Sequence, residues 1–183
     1  YVTEGDPRFH IVFFPLYPLL IRAFSYVTGG NYFAAAMVVS NLCAMGSGIL
    51  LYELAALDFN RRDSLYITAL MLVFPGAIFL GAPMTESLFL LLSLGAVYCG
   101  RKGRFFPAAL LTALAGFTRS VGTLLALVLA VEVLLRLLRG DEKPRPILFL
   151  KYGACLLTAC LGTAAYLLVN YLVTGDAFTF LTY

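Results

Sequence analysis

The chain reads as an all-α, polytopic transmembrane helical bundle. Three observations support this. Of its 183 residues, 61% are hydrophobic, and the mean hydropathy is +0.90; soluble domains are about 45–50% apolar. The apolar residues form runs close to the roughly 20 needed for a membrane helix. Ten of the thirteen Lys/Arg fall into three clusters, Arg61-Arg62, Arg101-Lys102-Arg104 and Arg136 to Lys151, separated by apolar hairpins. The positive-inside rule places all three clusters on the cytoplasmic side. Arg8, Arg22 and Arg119 then lie near the opposite surface, where topology does not explain them.

The elements follow in order. Phe13 to Val27 is too short to span and carries Arg22; with Pro15 and Pro18 near its start it reads as an interfacial helix. Gly29-Gly30-Asn31 breaks the chain. The first span runs from about Tyr32 to Leu57 and ends at Asp58 and Arg61-Arg62. A second covers Leu65 to Leu80 and returns at Gly81-Ala82-Pro83, and a third runs from Thr85 to Gly100. The apolar stretch from Phe105 to Leu138 is interrupted at Thr118-Arg119-Ser120. One continuous helix there would put Arg101 and Arg139 on opposite faces, so a hairpin with its turn near Arg119 is expected. The last span covers Ile147 to Val173, and Thr174-Gly175-Asp176 emerges outside. The expectation is about six spans plus one interfacial helix. Residues 1–30 form an outer loop and that helix, and residues 31–183 form the spans of a single domain. Without an initiator Met, the chain reads as an internal piece of a longer protein.

Composition also narrows function. The net charge of +3 is spread over loops, which argues against nucleic acid as a partner. Cys43, Cys99, Cys155 and Cys160 sit in apolar runs without metal-ligand spacing and read as small core residues. With a single His, neither a zinc cluster nor a Ser-His-Asp triad is supported. No cofactor and no metal site is expected. Asn41 and Asn170, within spans, suit interhelical hydrogen bonds.

Three places carry charge that topology leaves over. Glu86 opens a helix after Pro83-Met84-Thr85. It is either a helix-start carboxylate, favoured by the dipole with Thr85 or Ser87 capping, or a carboxylate at the rim of a membrane cavity. Arg119 stands between two apolar limbs. Its planar donors match phosphate oxygens; the alternatives are an ion pair with Glu86 or snorkelling to headgroups. Ahead of the first helix, Glu4, Asp6 and His10 form a polar lead. The acids read as bases, metal ligands or a solvated loop, and His10 as a phosphate or sugar contact or a surface residue.

Four motifs in order resemble one family. They are Phe13-Phe14-Pro15-Leu16-Tyr17-Pro18-Leu19-Leu20, the Phe74 to Phe89 hairpin with Thr85-Glu86-Ser87, Thr118-Arg119-Ser120-Val121-Gly122, and Thr174-Gly175-Asp176-Ala177-Phe178-Thr179-Phe180-Leu181. Together they are similar to the PIG-V type mannosyltransferases, the GPI mannosyltransferase 2 type in eukaryotes, and to their bacterial relatives. The resemblance implies a GT-C membrane glycosyltransferase that takes mannose or a related hexose from a polyprenyl or dolichyl phosphate carrier on the non-cytoplasmic side. It implies membrane lipids and that donor as partners, with the acceptor open. It also implies the plasma membrane in a bacterium or the endoplasmic reticulum in a eukaryote. The family's catalytic Asp, in a Trp-Asp motif, is expected upstream of Tyr1, which leaves Glu86 as the candidate within this chain. Arg119 and His10 are the expected donor-phosphate ligands, and Tyr17, Thr85 and Ser120 the expected cavity residues. No Gly-rich nucleotide loop is present, which suits a lipid-linked donor. The competing readings are a lipid or solute transporter and a non-catalytic subunit of a glycosylation complex.

Overall fold

A computed structural model describes residues 14–139 and 146–177, and within them every regular element is helical. In chain order these are α1 (Leu16–Ser25), α2 (Tyr32–Ala55), α3 (Arg61–Val73), α4 (Ile78–Gly81), α5 (Glu86–Arg101), α6 (Phe105–Gly116), α7 (Leu124–Arg139) and α8 (Pro146–Thr174). Two 3-10 turns, Pro75–Ala77 and Ser120–Thr123, lie before α4 and α7.

Local chemistry sets most boundaries. The Asn31 side chain accepts the Ala34 amide at 3.0 Å, and the Asn60 side chain accepts the Asp63 amide at 2.9 Å. Each thereby satisfies a donor that a helix start leaves unpaired. α5 ends in a Schellman motif. Gly103 takes φ +76°, its amide donates to Gly100, and the Arg104 amide reaches back to Cys99 at 2.8 Å. The expected second span is broken instead of continuous, with α3 and the Pro75–Gly81 segment meeting at 68°. Phe74 takes ψ 135° ahead of Pro75, the extended conformation that a following proline favours.

Three helices are long and apolar enough to cross a membrane among the described residues: Tyr32–Ala55, Ser120–Leu138 and Tyr152–Val173. The bent pair makes a fourth if it is one span. The other expected spans, α5 and α6, have 16 and 12 residues. At 1.5 Å per residue they are about 24 and 18 Å long, short of a hydrocarbon core of about 30 Å.

The chain nevertheless runs from end to end in the expected alternation. Asp58, after α2, pairs with Arg101 at 2.6 Å. Arg136, late in α7, donates to the Arg101 carbonyl at 2.8 Å and lies 5.4 Å from the centroid of the Phe105 ring. The loop after α2, the end of α5, the start of α6 and the end of α7 therefore share one end, here termed the basic end. The α6–α7 hairpin follows directly from the Arg136–Arg101 contact. At the opposite end, Asn41 reaches the Gly81 carbonyl at 3.5 Å and Ser40 reaches that of Met84 at 3.4 Å. In a cysteine-free background, cysteines at positions 61 and 101 should label from the same side of the membrane and one at position 81 from the other. Labelling of 61 and 101 from opposite sides would contradict this path.

Two buried clusters hold the bundle. Toward the basic end, Phe105, Ala108, Ala109, Leu129, Val133, Tyr152, Cys155 and Ala159 join α6, α7 and α8. The Phe105 and Tyr152 rings meet edge to face at 4.9 Å. Tyr17, Val39, Cys43, Leu88, Leu92 and Ala115 join α1, α2, α5 and α6. Cys43 and Cys155 are core residues as expected, whereas Cys160 is exposed. Small residues permit the close approaches, as in membrane helix packing generally. A Cβ on Gly162 would fall inside the Ala113 carbonyl, a backbone obstacle that cannot rotate away. Gly162→Ala should therefore lower stability by about 3 kcal/mol, the upper part of the usual overpacking range. Thermal unfolding in detergent measures this, and an unchanged midpoint would contradict the packing.

Candidate functional site

The end opposite the basic clusters brings together two turns distant in sequence. Glu86 is the first residue of α5, where a carboxylate faces unpaired helix amides. Neither expected capping hydroxyl acts as a cap. Thr85 has helical backbone angles and no side-chain cap bond, and the Ser87 hydroxyl is buried without a hydrogen-bond partner among the described residues. Arg119 lies between α6 and the Ser120–Thr123 turn in extended conformation, φ −154° and ψ 147°. Its amide donates to the Ala115 carbonyl at 3.0 Å, and its carbonyl accepts the Gly122 amide at 2.9 Å.

The two charges meet. Arg119 Nη1 donates to Glu86 Oε1 at 2.6 Å, with side-chain exposures of 39% and 37%. The guanidinium carbon stands 6.0 Å from the centroid of the Phe89 ring, at the outer limit of a cation–π contact. Phe89 follows Glu86 by three residues, the spacing that puts both on one helix face. At such exposure an ion pair contributes about 1 kcal/mol or less. The hydrogen bond to Glu86 uses one of the five N–H donors of a guanidinium, so the half-open fork retains capacity for an anion.

The other expected site residues divide. Thr85 is half-buried beside Glu86, and Ser120 is exposed beside Arg119. Tyr17 is buried at 5% exposure, and its hydroxyl lies 2.7 Å from Ser40 Oγ and 3.3 Å from the Ala36 carbonyl. Burial pushes this phenol above its ordinary pKa, while the Ser40 hydrogen bond opposes the shift. Through Ser40, which also reaches the Met84 carbonyl, Tyr17 ties α1 to the turn that presents Glu86. It thus supports the site from behind. Glu4, Asp6 and His10 lie outside the described residues. Asn41 makes its expected interhelical bond, at 3.5 Å to Gly81, and a shorter one within α2 to Met37. Asn170 donates within α8 to Tyr166.

A crevice of about 30 Å³ lies toward the basic end, lined by Gly100, Arg101, Thr112, Leu129 and Glu132 among others. That volume suits a water molecule. Among the described residues no group of three His, Cys, Asp or Glu side chains is placed to hold a metal ion.

Sequence reasoning missed Phe89, Ser40, Thr123 and Thr163. Phe89 had a signal in its spacing from Glu86. The hydroxyl residues had none, since isolated Ser and Thr in apolar helices follow no period.

A helical bundle with apolar membrane-length helices and an ion pair at one end defines an integral membrane protein whose candidate chemistry lies at its rim. The sequence matches the mannosyltransferase (PIG-V) family over residues 7–172, and the chain belongs to that family. It is therefore a membrane glycosyltransferase of the mannosyltransferase class. No curated protein and no solved structure gives a significant match.

Proposed function

We propose that the protein transfers mannose, or a related hexose, from a polyprenyl or dolichyl phosphate carrier to an acceptor on the non-cytoplasmic face of its membrane. The observation that carries this reading is the Glu86–Arg119 pair, at the end opposite the basic clusters, in a chain of this family. The positive-inside rule makes the basic end cytoplasmic and the end bearing Glu86 and Arg119 the outer one.

The reaction is a direct displacement. A carboxylate takes the proton of an acceptor hydroxyl, and that oxygen attacks the anomeric carbon. The bond to the carrier phosphate breaks, and its electron pair leaves with the lipid phosphate. The family resemblance implies that an Asp supplies this carboxylate. Arg119 binds the donor phosphate and neutralises the charge that grows as it leaves, with His10 as a second phosphate ligand. Glu86 holds Arg119 in place and offers its second oxygen to a sugar hydroxyl. Thr85 and Ser120, which flank the pair, contact the sugar, and Tyr17 supports the turn behind Glu86 through Ser40. The acting membrane is the plasma membrane in a bacterium and the endoplasmic reticulum in a eukaryote.

A transporter would gather its polar groups near the midplane at broken helices. The Glu86–Arg119 pair lies at one end of the bundle, away from the midplane role that a transporter would need of the broken second span, which favours the enzyme. Supplying the purified full chain with radiolabelled mannose on a polyprenyl phosphate tests the reading. Label should pass into a new glycosidic product, with little transfer from a nucleotide sugar. Movement of the lipid across the bilayer without a new glycosidic bond would favour the transporter.

A further inference from the structure

The segment carrying Arg119 is bound to its surroundings on both sides. Before it, the Thr118 hydroxyl, buried at 1% exposure, donates to the Leu114 carbonyl at 2.8 Å. After it, Gly122 is buried against the last turn of α6, where a Cβ would collide with the Ala115 carbonyl. The 3-10 turn then ends at Thr123, whose hydroxyl lies 2.7 Å from that of Thr163 on α8. Thr163 also stands over the end of α6, its hydroxyl 3.0 Å from the place of a Cβ on Gly116.

These contacts do different work. The glycines allow α6, the turn and α8 to approach, and they do so without any hydroxyl. The Thr123–Thr163 hydrogen bond adds direction, since it fixes where along α8 the turn is held. Arg119 is extended, so the reach of its side chain depends on the position of the turn behind it. A 2.6 Å bond to Glu86 leaves little tolerance for displacement of that backbone.

We propose that Thr163 is a positioning residue for Arg119: through its hydrogen bond to Thr123 it sets the turn so that the guanidinium meets both Glu86 and the donor phosphate. The inference rests on the reading of Arg119 as the ligand of that phosphate. Thr163 itself touches neither the sugar nor the phosphate. A valine at 163 preserves the branched shape and removes only the hydroxyl, while serine retains it.

The test measures kcat and KM for the polyprenyl-phosphate-mannose donor in the full chain. The variants are Thr163→Val, Thr163→Ser, Thr123→Val, Arg119→Ala, and Arg119→Ala combined with Thr163→Val or with Thr123→Val. Thermal unfolding of each variant runs alongside. Thr163→Val is expected to lower kcat/KM by about tenfold, because modest misplacement of a binding group costs this much or more. Thr163→Ser should recover most of it, and Thr123→Val should reproduce the loss from the other side of the bond. In the Arg119→Ala background Thr163→Val should cost nothing further. An equal loss in both backgrounds, or none in the wild type, would overturn the inference while leaving the role of Arg119 intact. Wild-type kcat/KM in Arg119→Ala would instead overturn the phosphate reading, and the positioning role with it. Should Thr163→Val fail to fold, Thr123→Val decides by the same comparison.

Discussion

Arg119→Ala is expected to lower mannose transfer by about 10²–10³-fold per folded molecule, the cost of losing one group that stabilises developing negative charge. The side chain stands alone between α6 and α7, away from the three basic clusters. A charge at mid-bilayer costs about 2.5–3.5 kcal/mol on insertion scales, and less toward the interface. Its observed partner recovers only part of such a cost, since the pair with Glu86 is more than a third exposed on both sides. For the same reason the alanine variant should lose about 1 kcal/mol of stability or less. Rate and stability thus separate: transfer collapses while the protein remains folded. Transfer rate normalised to folded protein makes the check, and a rate within twofold of wild type would leave the ion pair as the whole account of Arg119.

Glu86→Gln should reduce transfer by about 100-fold, the cost of misplacing by about 1 Å a group that must meet the donor phosphate. Glutamine keeps the shape and one oxygen able to accept from Arg119, but not the charge that holds the guanidinium. If Glu86 were a helix-start carboxylate alone, the variant would lose about 0.3–1 kcal/mol of stability through the dipole and keep its turnover. Assaying turnover and unfolding on the same preparation separates these outcomes. Unchanged turnover per folded molecule would remove Glu86 from the site.

Most of the path was legible because charge and apolar length act over whole helices. The first span was expected from Tyr32 to about Leu57 and is α2, Tyr32–Ala55. The hairpin turning at Arg119 followed from keeping the basic clusters on one side, and Arg136 contacts the Arg101 carbonyl accordingly. The broken second span was not read, although Pro75-Gly76 lies within it. A hydrophobic run gives no direction to its backbone, and only the extended Phe74 reveals the 68° bend. The short α5 and α6 likewise look like spans by composition while their helical lengths fall below a full crossing.

The site was legible to a different degree. Glu86 and Arg119 stood out as lone charges in apolar sequence, and their pairing across 33 residues was one of the alternatives. Capping by Thr85 or Ser87 was a reasonable expectation that fails because Thr85, at the N-cap position, adopts helical angles instead of the extended ones from which a hydroxyl reaches the first helix amides, and Ser87 lies within the helix. Tyr17 carried a motif but not its environment; only the packing of α1 on α2 shows its hydroxyl spent on Ser40. The Thr123–Thr163 bond joins residues 40 apart that carry no charge or period, so nothing in the sequence singled them out.

The central claim is that the charged rim recognises a lipid-linked sugar phosphate, and donor affinity tests it most directly. Equilibrium binding of a polyprenyl-phosphate-mannose to wild type, Arg119→Lys and Arg119→Ala in detergent or nanodiscs suffices. The account predicts progressively weaker binding, because lysine keeps the charge but loses the bidentate fork and alanine loses both. Wild-type affinity in Arg119→Ala would contradict it.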